Sequence, residues 1–330
     1  MASITRSDGS RLSRMVDFSK RMRINVGLLL AFPYFLYGIF FALAFSDWEW
    51  KLLTTSAHRI FWGSIISLTY LPFIFVANDY FDAPYDALDP KKRERNYFCN
   101  HTMQESLLLL FLVIVLPIAC SLVSSWFLGL EVFIISLLVF LMGFFYSAPP
   151  LRLKEAPLAD FISHGVYLAS YFFFIGATAI MAVGDLLNQP LFLILLFFTW
   201  VDGAWIHYKA QLRDFDIDSE GSQRTTTTWL GKPRSLLLLK GMLTAMLLCL
   251  PAYLYFNSTF KPAIFPAFFQ IASFVSFSLV AVYFWQVRGG EGNFGIIASR
   301  SSLYRIRFVY PFAVVSILLI NPVQLLETIF

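Results

Sequence analysis

Charge is scarce in this chain, and so is cysteine. Asp, Glu, Lys and Arg make up only 14% of its 330 residues, against about 25% in an average soluble domain. That deficit excludes an ordinary soluble fold. Three cysteines, Cys99, Cys120 and Cys249, supply neither a disulfide framework nor a paired metal-ligand spacing, so a structural role is expected of them. There is no heptad repeat, no nucleic-acid motif and no hydrolase nucleophile arrangement. The glycine-containing run from Gly289 to Asn293 is too short and badly placed to cradle phosphate ahead of a strand, and reads as a flexible connection.

What fills the chain is apolar: 58% of it is hydrophobic and 18% aromatic. Several stretches reach the ~20 residues that a helix needs to cross a hydrocarbon core of ~30 Å. The expectation is an all-α polytopic membrane protein with about nine spans, near residues 24–46, 59–78, 105–126, 130–147, 161–183, 190–208, 235–257, 262–286 and 308–326. A basic segment over 1–23 precedes a single transmembrane domain over 24–330. That segment reads as a solvated tail near anionic headgroups. Its basic flank is followed by too long an apolar stretch for a signal peptide, so the first helix is expected to stay uncleaved.

The few cations are distributed unevenly. Six Lys and Arg residues precede the first span, and Lys91, Lys92, Arg93 and Arg95 follow the second. Arg152 and Lys154 follow the fourth, Lys209, Arg213, Arg224, Lys232 and Arg234 the sixth, and Arg288, Arg300, Arg305 and Arg307 the eighth. The alternate connections hold only Lys51, Arg59 and Lys261. The positive-inside rule then puts the N-terminus and every even-numbered connection on the cytoplasmic side. The expected location is the cell membrane.

Acids appear abruptly where the second span ends. Asn78, Asp82 and Asp86 recur every four residues and share one helical face, with Asp79 beside them. Clustered carboxylates repel one another unless a cation intervenes, and oxygen ligands without His or Cys favour Mg²⁺. A second cluster, Asp214, Asp216 and Asp218, ends the sixth span. Asp214 and Asp218 lie four apart, with Asp216 turned elsewhere if the helix persists. A solvated loop could look the same, but both clusters emerge on the predicted cytoplasmic side and can face each other across one cavity. The basic run from Lys91 to Arg95 could set topology, contact lipid or bind a diphosphate. Between the clusters, Tyr146 to Lys154 breaks a helix at Pro149 and Pro150 and presents Arg152 and Lys154 on a short loop. His164, alone in its span, reads as a hydrogen-bonded filler outside the site.

These residues resemble the UbiA superfamily of intramembrane prenyltransferases. Asn78, Asp79, Asp82 and Asp86 fit its first acidic signature. The Tyr-Ser-x-Pro-Pro-x-Arg-x-Lys loop stands at Tyr146 to Lys154. Asp214 and Asp218, followed by the Thr-rich stretch from Thr225, stand where the second acidic motif belongs. One departure is that many members carry a third acid where this chain has Ser222. The details look most like the lycopene elongase branch.

The resemblance implies helices around a central cavity opening near the cytoplasmic side. It further implies two Mg²⁺ ions held by Asn78, Asp82, Asp86, Asp214 and Asp218, and an isoprenyl diphosphate held by Arg93, Arg152, Lys154 and Tyr146. Asp79, Asp82 and Asp218 would be catalytic, Asp79 as a candidate base. The expected reaction transfers a prenyl group to a hydrophobic acceptor, such as a carotenoid, and releases diphosphate. An aromatic acceptor, or cyclisation without an acceptor, would use the same ionisation; a non-catalytic lipid binder would not need two opposed carboxylate sets. Membrane lipids are expected partners and nucleic acid is not; oligomeric state is left open.

Overall fold

The computed structural model describes residues 30–88, 90–100, 107, 111, 115–220, 224–257, 270–275, 278, 310–321, 324 and 327. Every element among them is helical. Eight carry the architecture: α1 Phe32–Phe45, α2 Ala57–Asp86, α3 Leu116–Leu128, α4 Leu130–Ser147, α5 Ala159–Thr178, α6 Pro190–Glu220, α7 Thr226–Phe256 and α8 Tyr310–Leu318. Five of these, α2 and α4 to α7, are long and apolar enough to cross a membrane, while α1 and the Ile118–Leu128 part of α3 are shorter apolar helices. The basic segment 1–23, the Gly289 to Asn293 run, Ser222 and the expected span 262–286 apart from 270–275 and 278 lie outside the described residues.

Lengths explain why acids can end these helices. The 30 residues of α2 reach about 45 Å at ~1.5 Å per residue, well beyond a ~30 Å hydrocarbon core. Its last turns therefore carry Asn78 to Asp86 past the apolar layer without leaving the helix. The same holds for α6, which continues as one helix of 31 residues through Asp214 and Asp218 to Glu220. The expected span 190–208 thus covers only part of it.

The most buried span is α5: 89% of its apolar window is covered by neighbours, so it runs through the middle of the bundle. Glycines allow α1 to reach it. A Cβ on Gly38 would sit 2.1 Å from the Phe173 carbonyl oxygen, and one on Gly176 would sit 1.9 Å from that of Phe35. Small residues at helix contacts let backbones approach in this way where lipid offers no hydrophobic drive for association. Pro33 occupies the first turn of α1, where its missing N–H costs nothing.

Aromatic rings fill the remaining space. Tyr70 meets Phe140, Tyr171 and Phe172 edge-on, and Phe173 stacks on Phe192. At one end of the bundle Arg59 donates to the carbonyls of Leu128 at 3.0 Å and Thr178 at 2.7 Å. It thereby caps the C-termini of α3 and α5 together, which would otherwise leave unpaired carbonyls. In α7, Thr225 forms a capping box with Thr228, and Gly231 bends the helix at φ 73°.

Candidate active site

Two adjacent residues at the end of α4 connect the two acid-bearing helices. Ser147 Oγ donates to Asn78 Oδ1 on α2 at 2.5 Å. Tyr146 Oη lies 3.2 Å from Nε2 of His207 on α6. The loop that follows then folds back over α2. Lys154 Nζ forms an ion pair with Asp82, and the Arg152 guanidinium lies 3.8 Å from the same carboxylate. Arg152 also grips Glu155 through two nitrogens, at 2.9 and 2.6 Å, and lies over the Tyr85 ring at 5.1 Å. Burial holds the Lys154 ammonium below its ordinary range, with Asp82 opposing that shift.

The other members of the first cluster are organised by Asn96, which the sequence reading did not single out. Its amide donates to the Asp79 carbonyl at 2.7 Å and to the Asp86 carboxylate at 2.9 Å, and its oxygen accepts from the Phe98 amide at 3.0 Å. Asp79 is buried, with 8% of its surface exposed. Arg93 stands exposed on the short helix Pro90–Arg95.

In the second cluster, Asp214 is gripped by Arg213 at 3.0 and 3.3 Å, and Asp216 turns to Lys232 at 2.8 Å. Asp218 is different. Burial and the charge of Asp214 push its carboxyl up to about 6, with Lys92 opposing. The influence of Lys92, six residues after Asp86 at the end of α2, puts the second cluster within electrostatic range of the segment that follows the first.

Next to the acids lies a buried polar network. Asp160 is fully buried and accepts from the amides of Phe161 and Thr226 and from Gln211 Nε2, each at 2.7 Å, and from the Thr226 hydroxyl. Gln211 Nε2 also lies 2.9 Å from His207 Nε2. His207 stacks on His164 with ring centroids 3.6 Å apart, and the Tyr167 hydroxyl is 2.6 Å from His164 Nδ1. His164 is therefore hydrogen-bonded, as the sequence suggested, yet belongs to a network next to the site. The readable signal for His207 and Gln211 was spacing: 207, 211, 214 and 218 fall on one helical face.

Among the described residues no three His, Cys, Asp or Glu side chains gather closely enough to hold a metal unaided. The oxygen-rich, partly solvated clusters still suit Mg²⁺, which keeps its waters and takes one or two carboxylates together with substrate phosphates. The half-buried Asp214–Asp218 pair, with Asp218 raised by burial and by its neighbour's charge, is such an oxygen site.

A helical membrane bundle with two acid-tipped helices joined through one loop defines the class. The match to the family model "UbiA prenyltransferase family" over residues 30–293 makes the chain a member of that family. It is similar to a lycopene elongase/hydratase of Haloferax volcanii, 29% identical over 171 residues, covering 49% of this chain and 50% of the relative. A lycopene elongase/hydratase of Haloarcula japonica is 32% identical over 175 residues, with 48% and 50% covered. The matches thus span about half the length of these curated relatives. Among solved structures, a digeranylgeranylglyceryl phosphate synthase superposes with TM-score 0.65 at 14% identity, covering 92% of this chain and 99% of that one. A UbiA homolog from Archaeoglobus fulgidus bound to GPP and Mg²⁺ gives 0.55 at 16%, covering 90% and 99%. At those identities the likeness is one of fold.

Proposed function

We propose that this chain is a Mg²⁺-dependent intramembrane prenyltransferase that moves an isoprenyl group from its diphosphate to a hydrophobic acceptor, a carotenoid such as lycopene. The observation that carries the reading is the pairing of Asn78 with Ser147 and of Tyr146 with His207, which ties both acidic helices to one loop. The acceptor rests on the likeness to lycopene elongase/hydratases. The donor and metal rest on homologs solved with DMAPP or GPP and Mg²⁺.

In this reading residues 24–330 form one domain of about nine helices around a cavity that opens near the cytoplasmic side, after a basic cytoplasmic segment over 1–23. Asn78, Asp82 and Asp86 hold one metal ion, and Asp214 and Asp218 a second. Bound Mg²⁺ would neutralise the diphosphate and make it a better leaving group. Lys154 and Arg152, which meet at Asp82, turn their charge to the diphosphate oxygens, joined by Arg93. These cations stabilise the charge that accumulates as the C–O bond breaks. The surrounding rings and aliphatic side chains keep water from the allylic cation, and aromatic faces stabilise it. Asp79 is a candidate proton acceptor once an acceptor carbon has attacked.

Purified protein incubated with Mg²⁺, dimethylallyl diphosphate and lycopene should release diphosphate and yield a prenylated carotenoid. Asp82→Ala and Asp218→Ala should each abolish release, and full turnover in both variants would sink the two-metal arrangement. A cyclic hydrocarbon formed without any acceptor would replace transfer with cyclisation.

A further inference from the structure

Asp160 is the one buried carboxylate on which separate arms of the candidate site converge. It lies in the first turn of α5 and is fully buried. Its Oδ1 accepts from the Phe161 amide at 2.7 Å and from the Thr226 hydroxyl. Its Oδ2 accepts from the Thr226 amide and from Gln211 Nε2, both at 2.7 Å. None of these donors is a cation. Only a carboxylate accepts on both oxygens; an amide in its place would turn an N–H toward two of the donors. A buried charge without a counter-charge is a costly way to hold a fold together, because apolar packing carries no such desolvation penalty. What the carboxylate supplies is direction.

The donors belong to different arms. Thr226 is the first residue of α7, and its hydroxyl, while donating to Asp160, accepts from the Leu158 amide at 2.6 Å. Leu158 is held at φ 71°, a left-handed value that a leucine adopts only when its surroundings impose it. It stands four residues after Lys154. The loop that carries Arg152 and Lys154 is therefore made to enter α5 at a place fixed by α7. Gln211 belongs to α6, three residues before Asp214 and seven before Asp218, on the face those acids share. One side chain thus holds the cation loop and the second acidic pair in register.

We propose that Asp160 is a positioning residue for the leaving group: with Thr226 and Gln211 it fixes the Arg152–Lys154 loop against the helix bearing Asp214 and Asp218, so that one diphosphate meets both. This rests on the prenyl-transfer reading. Asp160 touches no substrate and moves no proton, since it has no exposed surface. It acts through the two arms it joins. A diphosphate held between cations on one arm and a metal on the other loses both contacts when either arm shifts, and a displacement of about 1 Å can cost roughly 100-fold.

The test reads binding rather than turnover. Mn²⁺ stands in for Mg²⁺, and its binding to the purified full chain in detergent is followed by EPR with and without inorganic diphosphate. Wild type should bind Mn²⁺ more tightly when diphosphate is present. Asp160→Asn keeps the shape of the side chain and removes its charge, while Thr226→Val removes the hydroxyl and keeps the amide. In both, the Kd for Mn²⁺ in the presence of diphosphate should rise about 10-fold, the scale of one lost hydrogen bond to a charged group, with the number of ions bound per folded chain unchanged. Thr226→Ser restores the hydroxyl and should restore the affinity. Where either variant fails to fold, Gln211→Met, which frees α6 from the carboxylate, takes its place with the same rise expected. A normal Kd in the folded variants, even at a lower Tm, shows that Asp160 serves the fold alone and overturns the proposal, as does a Thr226→Ser chain that binds no better than Thr226→Val. Wild type that binds no Mn²⁺, or binds it no better with diphosphate, overturns the prenyl-transfer reading itself.

Discussion

Asn96 holds Asp86 in place: its amide donates to that carboxylate at 2.9 Å while also reaching the Asp79 carbonyl at 2.7 Å. One side chain from the connection after α2 thus fixes the last turn of the first acidic motif. Asn96→Ala should leave both acceptors short of a donor and destabilise the chain by about 1–3 kcal/mol. The Mg²⁺ concentration needed for half-maximal diphosphate release should rise with it. Asn96→Asp, which sets a second negative charge against Asp86, should raise that requirement further.

Lys154 and Arg152 converge on Asp82, but through different chemistry. If Lys154 faces the diphosphate as proposed, Lys154→Met should lower the rate of diphosphate release by roughly 100-fold, typical of one lost electrostatic contact in a transition state. Arg152→Lys keeps the charge but loses the planar contacts with Glu155 and Tyr85. Its effect should fall mainly on the KM for the prenyl diphosphate.

The pH profile should carry an acidic limb near 6. Asp218, pushed up to about 6 by burial and Asp214, is protonated below that value and ionised above it. Metal binding requires the ionised form, so metal-dependent turnover falls as pH drops through 6. Because metal and proton compete, raising Mg²⁺ should move the limb to lower pH. A limb that stays in place at every Mg²⁺ concentration would separate Asp218 from the metal.

Backbone contact between α1 and α5 predicts where size is forbidden. Gly38→Ala and Gly176→Ala would each bring a Cβ within about two ångströms of a carbonyl oxygen and should each destabilise the chain by about 3 kcal/mol, the upper end of the overpacking range, read as a lower Tm in detergent. Gly241→Ala meets nothing within 4 Å and should leave the Tm unchanged or slightly higher, since alanine favours a helix.

The acidic faces were legible because they depend on local spacing. Asn78, Asp82 and Asp86 lie four apart whatever the tertiary fold, and α6 did continue through Asp214 and Asp218. Asn96 was not legible, since its role comes from a turn that brings it back over ten residues to Asp86. Asp160 was not singled out by the sequence either, and its importance comes from Gln211 and Thr226, 51 and 66 residues away.

Membrane character and the position of the acids at helix ends follow from composition and helical period alone, since apolar length and a 3.6-residue repeat need no knowledge of neighbours. Which side chains meet across helices was decided only by packing. The close approach at Gly38 and Gly176, the bridge from Tyr146 and Ser147 to both acidic helices, and the stack of His164 on His207 all join distant parts of the chain. Nothing in local periodicity records such contacts, because they arise when separate helices bury their faces against one another.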